Sequence, residues 1–178
     1  MQTASHEIVM WYFSLLCFFV CIPASTNAQT TGIESAAISF SFVKKGVSGT
    51  VSDFKSTTAI DWNDLENSII EGQVAAETIK TGNFIRDFAL RRSTYFDVDT
   101  YPLITFRSTK IQEKEDDIHV EGMLTLKGIS KPLTISFTKD GDTLIGKATL
   151  YSSDFDIVIY KKGRDANKVV VTFTLQLE

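Results

Sequence analysis

The 178-residue chain is 43% hydrophobic and carries a formal charge of −4, but its apolar residues are unevenly spread: residues 1–28 hold 18 of them together with both cysteines, Cys17 and Cys21. The rest of the chain keeps one histidine, His119, and no thiol, which excludes a Cys/His zinc site, a redox dithiol, a cysteine nucleophile and disulfide stapling. It also holds all 18 Lys and Arg against 21 of the acids, and mild acidity without a basic cluster argues against a nucleic-acid partner, whose affinity rests on neutralising phosphates.

From the N-terminus, Ile8 to Ile22 form a nearly unbroken apolar run, interrupted only by Ser14 and followed by the small-residue stretch Pro23 to Ala28. The run is shorter than the roughly 20 residues a spanning helix needs and matches a signal-peptide apolar region. Cleavage is expected after Ala28, giving a periplasmic or secreted protein that is not integral to the membrane. No Lys or Arg precedes the run, so an uncleaved anchor or a misassigned start are the competing readings. The domain organisation is therefore a signal peptide over 1–28 and one domain over 29–178.

Beyond it the dominant signal is period-two alternation, which sends alternate side chains to opposite faces of a strand. Ile38, Phe40 and Phe42 alternate with serines, and a weaker strand falls near 48–54. Ile70, Val74 and Ala76 suggest a strand over 68–79. Ile104 and Phe106 oppose Thr105 and Arg107, and Ile118, Val120, Gly122, Leu124 and Leu126 oppose His119, Glu121 and Thr125. Leu133, Ile135 and Phe137, a weaker strand at 143–151, and Val169, Val171, Phe173, Leu175 and Leu177 complete the series. About eight strands with one apolar face each fit an all-β, eight-stranded antiparallel barrel around a single interior. A barrel of that size is either filled by side chains or holds one small ligand.

One stretch breaks the alternation. Asn83 to Arg92 places Phe84 and Phe88 four residues apart and reads as a short amphipathic helix capped by Asn83 or Thr81, with Phe84 and Phe88 expected to point into one mouth of the barrel.

Residues 77–109 resemble the signature of the YceI-like family of exported bacterial proteins. The resemblance rests on Thr81-Gly82, Arg86-Asp87 with Leu90, Tyr95-Phe96-Asp97-Val98, Tyr101-Pro102 and Ile104-Thr105-Phe106, and on a second block from Val120 to Pro132. It implies a lipocalin-like barrel, which in some members encloses a long polyisoprenoid or isoprenoid-quinone chain. The chain departs from the family pattern in its first strand, at Lys127, and in the short interval between Pro132 and Ser153, which suggests trimmed late hairpins and a smaller cavity.

The implied partner is an isoprenoid or other long-chain lipid. The expected barrel lining is Phe40, Phe42, Ile70, Val74, Phe84, Phe88, Phe96, Phe106, Leu124, Leu126, Ile135, Phe137 and Phe173; each phenylalanine taken singly suits a core better than a pocket, and together they make an aromatic interior suited to an apolar chain. Arg86 is a candidate for holding a polar head group, against the simpler reading that Arg86 and Asp87 bond to loop backbone or to each other. His119 sits on a polar face with no nucleophile or orienting partner in sight, so neither a catalytic site, a metal nor a cofactor is expected. The sequence thus points to an exported lipid-binding barrel, with a solid-packed barrel acting through its surface as the alternative.

Overall fold

The computed structural model describes residues 30–161 and 163–178; the apolar run, the expected cleavage point after Ala28 and Lys162 lie outside these. Nine strands form one sheet: β1 (Ile33–Phe42), β2 (Val47–Val51), β3 (Lys55–Ser56), β4 (Glu71–Ala75), β5 (Leu103–Lys114), β6 (Asp117–Leu126), β7 (Ile129–Asp140), β8 (Thr143–Tyr151) and β9 (Lys168–Leu177). Among the described residues the one α-helix, α1 (Phe84–Arg91), lies between β4 and β5. The strand order is β2-β1-β9-β8-β7-β6-β5-β4-β3, and every pairing is antiparallel.

The alternation of the sequence becomes the two faces of this curled sheet. Along β6, Ile118, Val120, Gly122, Leu124 and Leu126 are buried while Glu121 and Met123 are exposed, and Leu133, Ile135 and Phe137 continue the inner face on β7. A bulge at Thr109, where the β5–β6 register shifts between Ser108 and Lys110, sharpens the curl. It faces Gly122, where a Cβ would stand 2.4 Å from the Arg107 carbonyl oxygen and 2.4 Å from the Phe106 ring, so only glycine fits beside the bulge.

Two expectations change. The strand expected over 68–79 is only β4, because the chain turns at Ala76–Thr78 to leave β5 and reach β2. The Thr78 hydroxyl fixes that turn by donating to the Ala75 carbonyl (2.7 Å) and accepting from the Ser52 N–H (2.9 Å). The count is nine instead of eight, the extra strand being two-residue β3, and β2 and β3 are edges with no ladder between them among the described residues. The curl is joined instead by the continuation of β4: Thr50 and Lys80 exchange N–H···O bonds of 2.8 and 3.0 Å. The late hairpin β7–β8 is compact. The short interval before Ser153 is spent on nine to twelve residues per strand and a turn at Gly141 and Asp142, with Gly141 at φ +57.

The two ends differ. One is covered by residues 57–70, tied to the start of β1 by reciprocal Thr31–Ile60 backbone bonds of 2.8 and 2.9 Å, and it is packed tight: Ile60, Ile111 and Leu144 are at most 1% exposed. The other, which we call the helix end, carries α1, the turn after β1 and the segment linking β8 to β9.

Candidate functional site

Between these ends the inner face does not close on itself. A cavity of about 160 Å³ runs through the middle of the curl, roughly ten times the space one water requires. Its lining follows β9 from Val169 to Leu175, about 20 Å of strand, so the space is long and narrow. The wall is almost wholly apolar; among the described residues, Glu71, Gln73, Thr105 and Ser152 are the only polar ones along it. The Ser152 hydroxyl is already committed, donating to the Ile157 carbonyl at 2.7 Å. Phe40, Ile104, Phe106, Val171 and Phe173 point inward yet are only half-buried, the pattern expected of side chains around a void rather than within a filled core.

Aromatic rings shape the wall, and glycines make room for them. Phe137 and Phe173 meet with centroids 6.1 Å apart, and Phe40 meets Phe42 edge-on at 5.9 Å. Gly146 lies opposite Phe137 in the β7–β8 register, and a Cβ there would fall 2.4 Å from the ring.

Eleven of the expected lining residues take that place: Phe40, Phe42, Ile70, Val74, Phe96, Phe106, Leu124, Leu126, Ile135, Phe137 and Phe173. Phe84 and Phe88 do not; they are 84% and 57% exposed, with Ile85 at 79%. The roll of α1 explains the reversal. Asn83 caps the helix by accepting from the Arg86 N–H at 3.0 Å. The next polar pair is then drawn back to Thr81, two residues before the cap. Arg86 donates through Nε to the Thr81 hydroxyl (2.7 Å) and through Nη2 to the Thr81 carbonyl (2.9 Å), while Asp87 accepts from the Thr81 N–H (2.8 Å) and hydroxyl. With Arg86, Asp87 and buried Leu90 facing the body of the protein, Phe84, Ile85 and Phe88 turn outward. Arg86 is thus a brace for the helix and does not line the cavity. Its bonds go to the loop, as the simpler of the two sequence readings has it.

The hydrogen bond from the Thr81 hydroxyl holds the Asp87 carboxyl below its ordinary value against the opposing effect of desolvation, helped by the Thr81 N–H and the nearby Arg86 and Arg91 charges. A carboxylate depressed in the folded state adds stability that is complete above its unfolded value, about 3.9, and is lost as pH falls through the lower folded value. Asp87→Asn is therefore expected to lower the melting temperature at pH 7, and the gap to the unaltered protein should close on acidification below about pH 3.9. Paired thermal melts across that range check it; a gap that persists in acid contradicts the assignment.

His119 lies on the outer face, paired in register with Gln112 and Ser136, and its Nδ1 is 3.3 Å from the Ser136 hydroxyl. Among the described residues no group of three or more His, Cys, Asp or Glu converges as metal ligands would. Several lining positions escaped the sequence reading. Ile38, Ile104 and Val171 share faces already recognised as apolar and were there to be read, whereas Phe54 and Ile79 stand at the far ends of the strands expected at 48–54 and 68–79, beyond the actual ends of β2 and β4, and reach the cavity through the crossing at 52–56 and the turn after β4.

Residues 25–177 match the family model described as a YceI-like domain. Proteins described as "Protein YceI" from Salmonella arizonae and Salmonella newport are 30% identical over 87 residues, which is 49% of this chain and 46% of theirs. The matched part thus spans about half the length of these curated relatives. Among solved structures, Burkholderia cenocepacia BcnA superposes with a TM-score of 0.70 at 20% identity, covering 80% of this chain and 96% of that one. The Campylobacter jejuni YceI protein gives 0.61 at 18% identity over 74% and 85%. A polyisoprenoid binding domain from Saccharophagus degradans gives 0.56 at 11% identity over 83% and 97%. At these identities the likeness shows a common fold.

Proposed function

Since this chain belongs to the YceI-like family, we propose that it is an exported carrier that encloses one long apolar chain, of isoprenoid type, in the cavity of its barrel. The observation that carries the reading is the void itself, long, narrow and walled by half-buried Phe40, Phe106 and Phe173. An isoprenoid tail is unbranched in overall course and offers methyl groups along its length, so it suits aromatic walls and needs no polar partner inside. Burial contributes about 0.8 kcal/mol per CH2. The neighbour described as a polyisoprenoid binding domain supports the ligand class by likeness of fold, and the apolar run at 8–22 supports export. A solid-packed barrel acting only through its surface is at odds with the void.

Titration with isoprenoid alcohols of increasing length, read by calorimetry, tests the proposal. Affinity should rise by about 0.8 kcal/mol for each added CH2 that is buried, roughly fourfold, and then level off once the cavity is full. Affinity independent of chain length, or no uptake at all, contradicts it.

A further inference from the structure

We infer that the helix end of the barrel is a docking face for an anionic phospholipid surface, with α1 lying in the interface and Phe84, Ile85 and Phe88 entering the lipid. The three side chains occupy adjacent turns of one helix and are the most exposed large apolar residues of the described chain. Their orientation is enforced, since Asn83 and Thr81 fix the opposite face of α1 through Arg86 and Asp87. Water is a poor partner for such a face, and an interfacial helix with apolar residues on one side and arginines beside them is the form that lies on membranes. The Arg92 guanidinium stands 5.7 Å from the Phe88 ring centroid, which puts a cation at the depth of lipid phosphates when Phe88 is inserted.

Charge selects the surface and the orientation. The described segments at the helix end, residues 43–46, 77–101, 127–128, 152–161 and 163–168, hold ten Lys and Arg against seven acids. Those at the opposite end, residues 57–70, 113–117 and 139–142, hold nine acids against two lysines. A molecule polarised in this way turns its helix end toward an anionic surface and its acidic end away. The turn after β1 belongs to the same rim and adds exposed Val43, Lys44 and Lys45. The face is also continuous with the cavity, because Ile79 before α1 and Phe96 after it both line the void. Docking does not depend on what the cavity takes, so it stands or falls separately from the ligand.

Hydrogen exchange of residues 84–92 in the full chain, with vesicles of phosphatidylcholine alone or mixed with phosphatidylglycerol, reads the face locally and is blind to membrane contact made by residues 1–29. Slowed exchange on the anionic vesicles, at least about tenfold weaker on the neutral ones and abolished by Phe84→Ser/Phe88→Ser, is the expected result. Lys44→Glu/Lys45→Glu should weaken it in the same direction. Because Phe84 and Phe88 are exposed, the double variant should keep the melting temperature of the parent, which separates lost docking from lost folding. Exchange unchanged by anionic vesicles overturns the inference. So does a protein whose α1 is already protected in a dimer that the double variant dissociates, since the occupant is then a second copy of the chain.

Discussion

Val171→Trp is expected to weaken binding of farnesol by on the order of a hundredfold, because excluding three or four CH2 groups at about 0.8 kcal/mol each removes about 3 kcal/mol of burial. Val171 is the right position for three reasons. It lies in β9 opposite Phe40 and Ala148, it points into the cavity, and it is half-buried because the void begins at its methyl groups. An indole there has room to stand only by occupying the space the ligand needs. The substitution should leave the melting temperature unchanged or raise it, since filling a void restores contacts that its walls lack. Met123→Ser, on the exposed outer face of β6, is the control and should bind like the parent. Calorimetric titration of all three proteins checks the set, and retention of full affinity by Val171→Trp would mean that the chain binds elsewhere.

Phe137→Ala is expected to destabilise the barrel by about 3–5 kcal/mol, a drop of roughly 6–20 °C in melting temperature for a domain of this size. Phe137 is 1% exposed, packs against Phe173 and occupies the room left by Gly146. The reverse test is Gly146→Val, whose Cβ would begin 2.4 Å from that ring. Neither ring nor strand can retreat from a buried position without cost, so overpacking should take about 1–3 kcal/mol. The two sites are in direct contact, and their effects must therefore fail to add. Phe137→Leu/Gly146→Ala should lose less stability than the sum of its parts, because the smaller side chain vacates the space that the new methyl enters. Additive losses would show that Gly146 is kept for its backbone and not for the ring.

How much of this was legible in the sequence follows from what each feature depends on. Strands with one apolar and one polar face announce themselves by period, and β1, β5, β6, β7 and β9 all stand where the alternation puts them. The helix was legible too, with its cap at Asn83. Its roll was not, because a pattern of Phe84, Ile85 and Phe88 names an apolar face without saying what it meets. Thr81 decided that by binding both Arg86 and Asp87, a bond between residues five and six apart that no periodicity reports. Closure was hidden for a similar reason. The join between Thr50 and Lys80 needs the chain to break β4 at Ala76 and continue alongside β2, and the apolar positions Ile70, Val74 and Ala76 fit an unbroken strand equally well. The lining residues of the long strands were readable from their faces, while Phe54 and Ile79 depend on crossings that only tertiary structure supplies.

Native mass spectrometry of the protein purified without detergent from the cells that make it tests the central claim most directly, since it reads cargo and stoichiometry together. The account predicts one apolar molecule per barrel, released by organic solvent and absent from Val171→Trp. A barrel that carries no such adduct, and that takes up no isoprenoid alcohol when offered one, would contradict it.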